Sequence, residues 1–120
     1  MPELTLYTNP QSRGRIAHWM MEEVGEPYDT VWLDYGTAMK APEYLAVNPM
    51  GKVPAWRHRA VVVTEAAAIC AYLADAIPAA GLLPQTATER AAYWRWLFFA
   101  AGPLEQAVVA RAMGWAVPEG

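Results

Sequence analysis

The chain has 120 residues, of which 55% are hydrophobic, and a formal charge of −3. That length holds one ordinary domain, or one domain and part of another, and that apolar content can furnish a core. Lysine and arginine are few and scattered, which argues against a nucleic-acid footprint, and the single cysteine, Cys70, excludes an intrachain disulfide, a CxxC redox pair and a cysteine-rich zinc site.

Residues 3–8 alternate as a short strand does. Ile16, Trp19, Met20 and Val24 then recur at helical spacing and predict a helix with these residues on its apolar side. Gly25 should stop it, with Pro27 just beyond. Residues 28–33 alternate again and predict a second strand, so the chain opens with a βαβ unit, its strands parallel and its crossover right-handed. Residues 34–46 are polar, contain Gly36 and Pro42, and predict a loop with a short irregular helix.

"NPMGKVP", residues 48–54, is dense in turn formers. Residues 55–57 and 60–64 flank His58-Arg59 and read as a hairpin. Residues 65–77 predict a helix with Ile69, Tyr72, Leu73, Ala76 and Ile77 on one side, ended by Pro78. A linker follows over residues 79–86. Thr86-Ala87-Thr88-Glu89 has the form of a capping box and announces a long helix to about residue 115. Gly102-Pro103 should kink it.

That helix would be roughly 40 Å long at about 1.5 Å per residue, against a radius of gyration of about 13 Å for a domain of this size. Tyr93, Trp94, Trp96, Leu97, Phe98 and Phe99 make it apolar nearly all round. Residues before it cannot cover such a surface, so further helices or a second subunit must. A homodimer is the expected arrangement, and association or poor solubility is expected if the chain ends at Gly120.

The expectation is an α/β fold: a four-stranded mixed sheet with helices over residues 1–78, then the linker, then the start of an all-α domain over residues 87–120. Glu3 stands where a secretion signal needs a basic or apolar start, and no apolar run approaches the roughly 18 residues of a membrane span. With one cysteine besides, a cytoplasmic protein without membrane or nucleic-acid partners is expected.

Three segments, in this order and spacing, resemble the glutathione transferase family: "LYTNPQSRGRI" from Leu6, "NPMGKVPA" from Asn48 and "TEAAAICAYLAD" from Thr64. The resemblance covers about residues 3–115 and implies a thioredoxin-like first domain that binds glutathione. It implies serine-using chemistry as well, since the hydroxyl in those classes falls five residues after a tyrosine, as Ser12 follows Tyr7. The chain departs from the family in two places. Ala66 stands where a serine is usual, and the sequence stops near the end of the first helix of the second domain.

Ser12 can simply cap the first helix. On the resemblance, its hydroxyl would donate to the sulfur of glutathione and hold it as thiolate. Lowering a thiol pKa of about 8.5 by about two units needs roughly 2.7 kcal/mol. One hydrogen bond to a charged group gives about 1.5–3 kcal/mol and a helix N-terminus about 0.3–1 more. Arg13 and Arg15 are either solvated charges or electrostatic support for the thiolate.

Val53-Pro54 is either a turn feeding an edge strand or, as the resemblance implies, a cis bond. The cis form would leave the Val53 N–H and C=O to pair with the cysteinyl backbone of the tripeptide, as a peptide adds to a sheet edge. Lys52 is either an exposed loop lysine or the partner of the glycyl carboxylate. Glu65 either complements a helix dipole or binds the γ-glutamyl ammonium, while first-turn N–H groups at Ala66 take the neighbouring carboxylate.

Cys70, mid-helix, reads as a core residue, and His18 and His58, which show no partner pattern, as surface residues. No metal or redox cofactor is implied; glutathione would be the co-substrate, and its partner a small apolar electrophile. The rival reading is a transferase-like protein-interaction module without chemistry. A thiol-disulfide oxidoreductase would need a cysteine where Ser12 stands.

Overall fold

The computed structural model describes residues 3–116. The chain divides into two compact units at Leu83–Pro84. The first contains β1 (Leu4–Thr8), α1 (Gly14–Val24), β2 (Asp29–Trp32), a 3-10 turn (Ala38–Lys40), α2 (Pro42–Leu45), β3 (Ala55–His58), β4 (Val61–Thr64) and α3 (Ala66–Ala76). Its sheet runs β2-β1-β3-β4. β1 and β2 are parallel, as a helical crossover requires, and the other two pairs are antiparallel.

Period-two alternation sends the strand side chains to two separate cores. Leu4, Leu6 and Trp56 pack with Ala17, Met21 and Val24 of α1 and Ile69 and Leu73 of α3. Tyr7 and Ala55, one residue out of phase, pack on the other face with Leu33, Met39 and Tyr44. α1 ends on Gly25 at φ 78°, a left-handed cap that glycine adopts without a Cβ penalty.

Several sequence expectations need correcting. α1 buries Gly14, Ala17, Met21 and Val24; Ile16 and Trp19 are 44% and 70% exposed. Apolar residues run around most of α1, so spacing alone did not settle which side faces the sheet; small residues decide it, because they let the helix come close. His58 lies within β3, and the turn is Arg59-Ala60, with Arg59 at φ 54°. Both histidines have partners. The His18 ring sits edge-on to Tyr28 and Trp32, with Nε2 4.0 Å from the Glu22 carboxylate. His58 Nε2 is 3.7 Å from the Glu3 carboxylate, which also takes Arg59. Cys70 is half-buried in α3, and burial pushes its thiol pKa up, making it a poor nucleophile.

The second unit holds α4 (Ala87–Phe99), a π-helical stretch (Ala100–Leu104) and α5 (Glu105–Ala112). The capping box forms as expected: Glu89 N–H donates to Thr86 Oγ1 at 3.1 Å and Thr86 N–H to the Glu89 carboxylate at 3.2 Å. At Gly102-Pro103, where a kink was expected, the helix passes through the π-helical stretch, whose wider turn accommodates the proline's missing N–H. Trp94, Trp96, Phe98 and Phe99 are exposed, and α4 buries no residue. No described helix is long and apolar enough to cross a membrane.

Candidate functional site

One row of the sheet sets the site. Tyr7 of β1 pairs with Ala55 of β3, and Ala55 with Thr64 of β4. Just past that row, at the same end of the sheet, the chain leaves β1 toward Ser12, enters β3 from Val53-Pro54, and leaves β4 into Glu65. Three sequence-distant candidates therefore emerge from one end of one rigid sheet, the kind of placement that can fix a binding constellation. Two recesses of this unit, one lined by Glu3, Glu26, His58 and Ile77 and the other by Val31, Tyr44, Val47 and Arg57, include none of Ser12, Val53 and Glu65.

Ser12 sits in a braced turn. Its hydroxyl donates to the Asn9 C=O at 2.6 Å and accepts from Gly14 N–H at 3.0 Å. Asn9 is buried; its Nδ2 donates to the Leu33 C=O at 2.9 Å and its Oδ1 accepts from Gln11 N–H at 2.8 Å. The side chain thus ties the β1–α1 turn to the end of β2. Arg13, not Ser12, occupies the cap position of α1. Arg13 and Arg15 are both exposed.

Gly14 is required by close approach: a Cβ there would lie 1.9 Å from Thr8 Oγ1 and 2.9 Å from Ser12 Oγ. Both neighbours are short side chains with little room to yield. Gly14→Ala is expected to destabilise the fold by about 1–3 kcal/mol through overpacking, read from urea midpoints. An unchanged midpoint would show that α1 can slide outward without loss.

The Val53–Pro54 bond is cis. Pro54 is buried, Val53 half-buried and Lys52 exposed. Among the described residues, neither the N–H nor the C=O of Val53 makes a backbone hydrogen bond. The loop before it is held by side chains. Asn48 Oδ1 accepts from Met50 N–H at 3.1 Å, and Lys40 Nζ donates to the Gly51 C=O at 2.9 Å. The Lys52 C=O accepts twice, from Tyr44 Oη at 2.6 Å and from Asn48 Nδ2 at 2.8 Å.

Burial pushes the Tyr44 phenol up to about 12, the nearby Asn48 amide pulling weakly the other way. An unfolded tyrosine titrates near 10. Between about pH 10 and 12 the unfolded chain gives up a proton that the fold keeps, so this contribution, complete below about pH 10, falls as pH rises. Urea midpoints should drop across that window, and drop less in Tyr44→Phe. Tyr28, shifted the same way by burial and by the Glu22 carboxylate, contributes to what remains, as does the Cys70 thiol.

Glu65 is not inside the helix as its sequence position implied. It is the cap residue of α3, at φ 71° and ψ 120°, without a side-chain capping bond. A non-glycine residue there is strained by about 1–3 kcal/mol. Its side chain is exposed and Ala66 is half-buried. The strained backbone thus falls at an exposed acidic residue, at the end of the sheet from which the chain also runs to Ser12 and Val53.

The sequence reading missed Asn9, Gly14, Lys40, Tyr44 and Asn48. A signal for two of them was present. Asn9-Pro10 and Asn48-Pro49 are the same dipeptide, and each asparagine caps the N–H two residues on, an Asx turn.

Residues 13–76 match the family model described as the glutathione S-transferase N-terminal domain. The match starts directly after Ser12 and includes residues 52–66. A glutathione S-transferase of Xanthomonas campestris is 36% identical over 97 residues, 80% of this chain and 47% of that relative. Among solved structures, a theta class glutathione S-transferase of Xanthomonas axonopodis pv. citri, with glutathione bound, superposes with a TM-score of 0.81 at 34% identity, covering 100% of this chain and 57% of that one. A glutathione transferase homologue from Sulfitobacter, also with glutathione bound, gives 0.78 at 33% identity over 99% of this chain and 59% of the other. The chain thus spans less than two thirds of the proteins it matches.

Proposed function

The chain belongs to the glutathione S-transferase family, and from that premise we propose that its first unit, the thioredoxin-like one, binds glutathione and activates its thiol for attack on a small apolar electrophile. The observation that carries this reading is the convergence of Ser12, Val53-Pro54 and Glu65 on the sheet end marked by Tyr7, Ala55 and Thr64. The open N–H and C=O of Val53 offer the cysteinyl backbone an antiparallel pair. Glu65 faces the γ-glutamyl ammonium, and the first-turn amides of α3, from Ala66 onward, take its carboxylate. With alanine at 66 those amides act without a hydroxyl. Lys52 takes the glycyl carboxylate, and Arg13 and Arg15 add positive potential near the sulfur.

Ser12 donates to the sulfur. Its proton now points at the Asn9 C=O, and rotation about the Cβ–Oγ bond redirects it. The thiolate sulfur then forms a bond to an electrophilic carbon as that carbon's leaving group departs with the bonding pair. No metal or redox group takes part in this reading; glutathione is the co-substrate. The protein works in the cytoplasm as a homodimer, its partner subunit or further helices covering the aromatic side chains of α4.

Calorimetric titration of the chain with glutathione at neutral pH tests the reading. Saturable binding supports it. Absence of binding would favour a transferase-like protein-interaction module instead, a possibility to which Ala66 already points.

A further inference from the structure

We propose that Tyr44 is a positioning residue for glutathione: its buried hydroxyl, with the Asn48 amide, fixes the peptide plane whose other end is the Val53 N–H. This rests on the reading that Val53 pairs with the tripeptide backbone.

A peptide unit is planar, and in the trans form its C=O and N–H point in opposite directions. The Lys52 C=O and the Val53 N–H are the two ends of one such unit. The cis bond of this loop is the next one, Val53–Pro54. Two donors hold the carbonyl end, Tyr44 Oη at 2.6 Å and Asn48 Nδ2 at 2.8 Å. They pin that end toward α2, so the N–H end is aimed away from α2, and it has no backbone partner among the described residues. The aim of the one donor that must meet a ligand acceptor is therefore set by side chains that never touch the ligand.

The anchor is well placed to hold. Tyr44 is 3% exposed, and its ring packs 5.6 Å from the Tyr7 ring within the second core. Tyr7 belongs to the row that organises the site, so the hydroxyl is referenced to the sheet itself. With its pKa pushed up to about 12, the phenol stays protonated and remains a donor throughout the neutral range. Asn48 uses its Oδ1 on Met50 N–H and its Nδ2 on the Lys52 C=O, so the same amide shapes the turn and orients the plane. Tyr44→Phe keeps the ring packing and removes one of the two donors.

The test compares wild type, Tyr44→Phe and Tyr28→Phe by calorimetry with glutathione, and reads the bound-thiol pKa from thiolate absorption. Tyr28 also donates from its phenol, to Glu22 on the exposed side of α1, and serves as the matched loss of a tyrosine hydrogen bond. The expected result is glutathione binding weakened about 3- to 10-fold in Tyr44→Phe, the scale of one neutral hydrogen bond. The bound-thiol pKa should not change, because Ser12 lies on a different loop, and Tyr28→Phe should bind as wild type does.

Equal affinity in Tyr44→Phe and wild type would overturn the proposal. So would equal weakening in Tyr28→Phe, or a shifted thiol pKa, since either reports general distortion. Failure of the wild type to bind would instead remove the glutathione reading beneath it. If Tyr44→Phe does not fold, Asn48→Asp decides: it keeps the acceptor for Met50 N–H, loses the donor to Lys52, and should weaken binding with the same unshifted thiol.

Discussion

Replacing Ser12 by alanine should raise the pKa of bound glutathione by about one unit, not the two that a free hydroxyl would supply. The difference follows from what the hydroxyl does before the ligand arrives. Its proton is already given to the Asn9 C=O at 2.6 Å. Turning it to a thiolate exchanges a neutral hydrogen bond of about 1 kcal/mol for a charged one of about 1.5–3 kcal/mol. The net gain, about 0.5–2 kcal/mol, is close to one pKa unit at its centre. Since the thiol would otherwise titrate above neutral pH, the thiolate fraction at pH 7, and with it the conjugation rate, should fall up to about tenfold. The same variant loses the acceptor for Gly14 N–H, so a stability loss of about 0.5–2 kcal/mol accompanies it. Thiolate absorption against pH, in the saturated complex, separates the two effects. A thiol pKa that stays put while stability falls would leave Ser12 as a turn-forming residue alone.

The fold was readable where composition and local rules coincide. Strand β1 shows in its alternation and β3 as one arm of a hairpin, while the Gly25 stop, the Thr86–Glu89 box and the irregular turn at Gly102-Pro103 each rest on a residue whose local chemistry allows few alternatives. The face of α1 was not readable, because Ile16 and Trp19 are as apolar as Met21 and the deciding feature is the smallness of Gly14 and Ala17. Of the candidate site, Ser12, Val53-Pro54 and Glu65 were nameable as candidates from segments in the right order. Their supports were not: the bonds from Asn9 to Leu33 and from Tyr44 to Lys52 join residues that only the folded chain brings together. Nor does any pattern of residue types announce that a glutamate will sit at φ 71°.

That strain yields the second large expectation, because it separates stability from binding at a single position. If Glu65 merely complements the dipole of α3, removing its charge should lower stability by about 0.3–1 kcal/mol and leave glutathione affinity alone. If it binds the γ-glutamyl ammonium, affinity should fall about 10- to 100-fold in both Glu65→Ala and Glu65→Gly, the scale of a charge-assisted hydrogen bond. The two variants should then part company in stability. Alanine keeps the Cβ that makes φ 71° unfavourable, so it stays strained. Glycine relieves part of the roughly 1–3 kcal/mol held there, offset by the larger backbone freedom it gives the unfolded chain, about 0.5–1 kcal/mol. Glu65→Gly should therefore unfold at a urea midpoint equal to or above that of Glu65→Ala while binding no better. A glycine variant both less stable and undiminished in affinity would mean that the backbone at this position is shaped by the glutamate side chain for folding, and that the ligand's ammonium is met elsewhere. The expected outcome, binding lost while the fold is kept or strengthened, is what a residue held in strain for recognition should show.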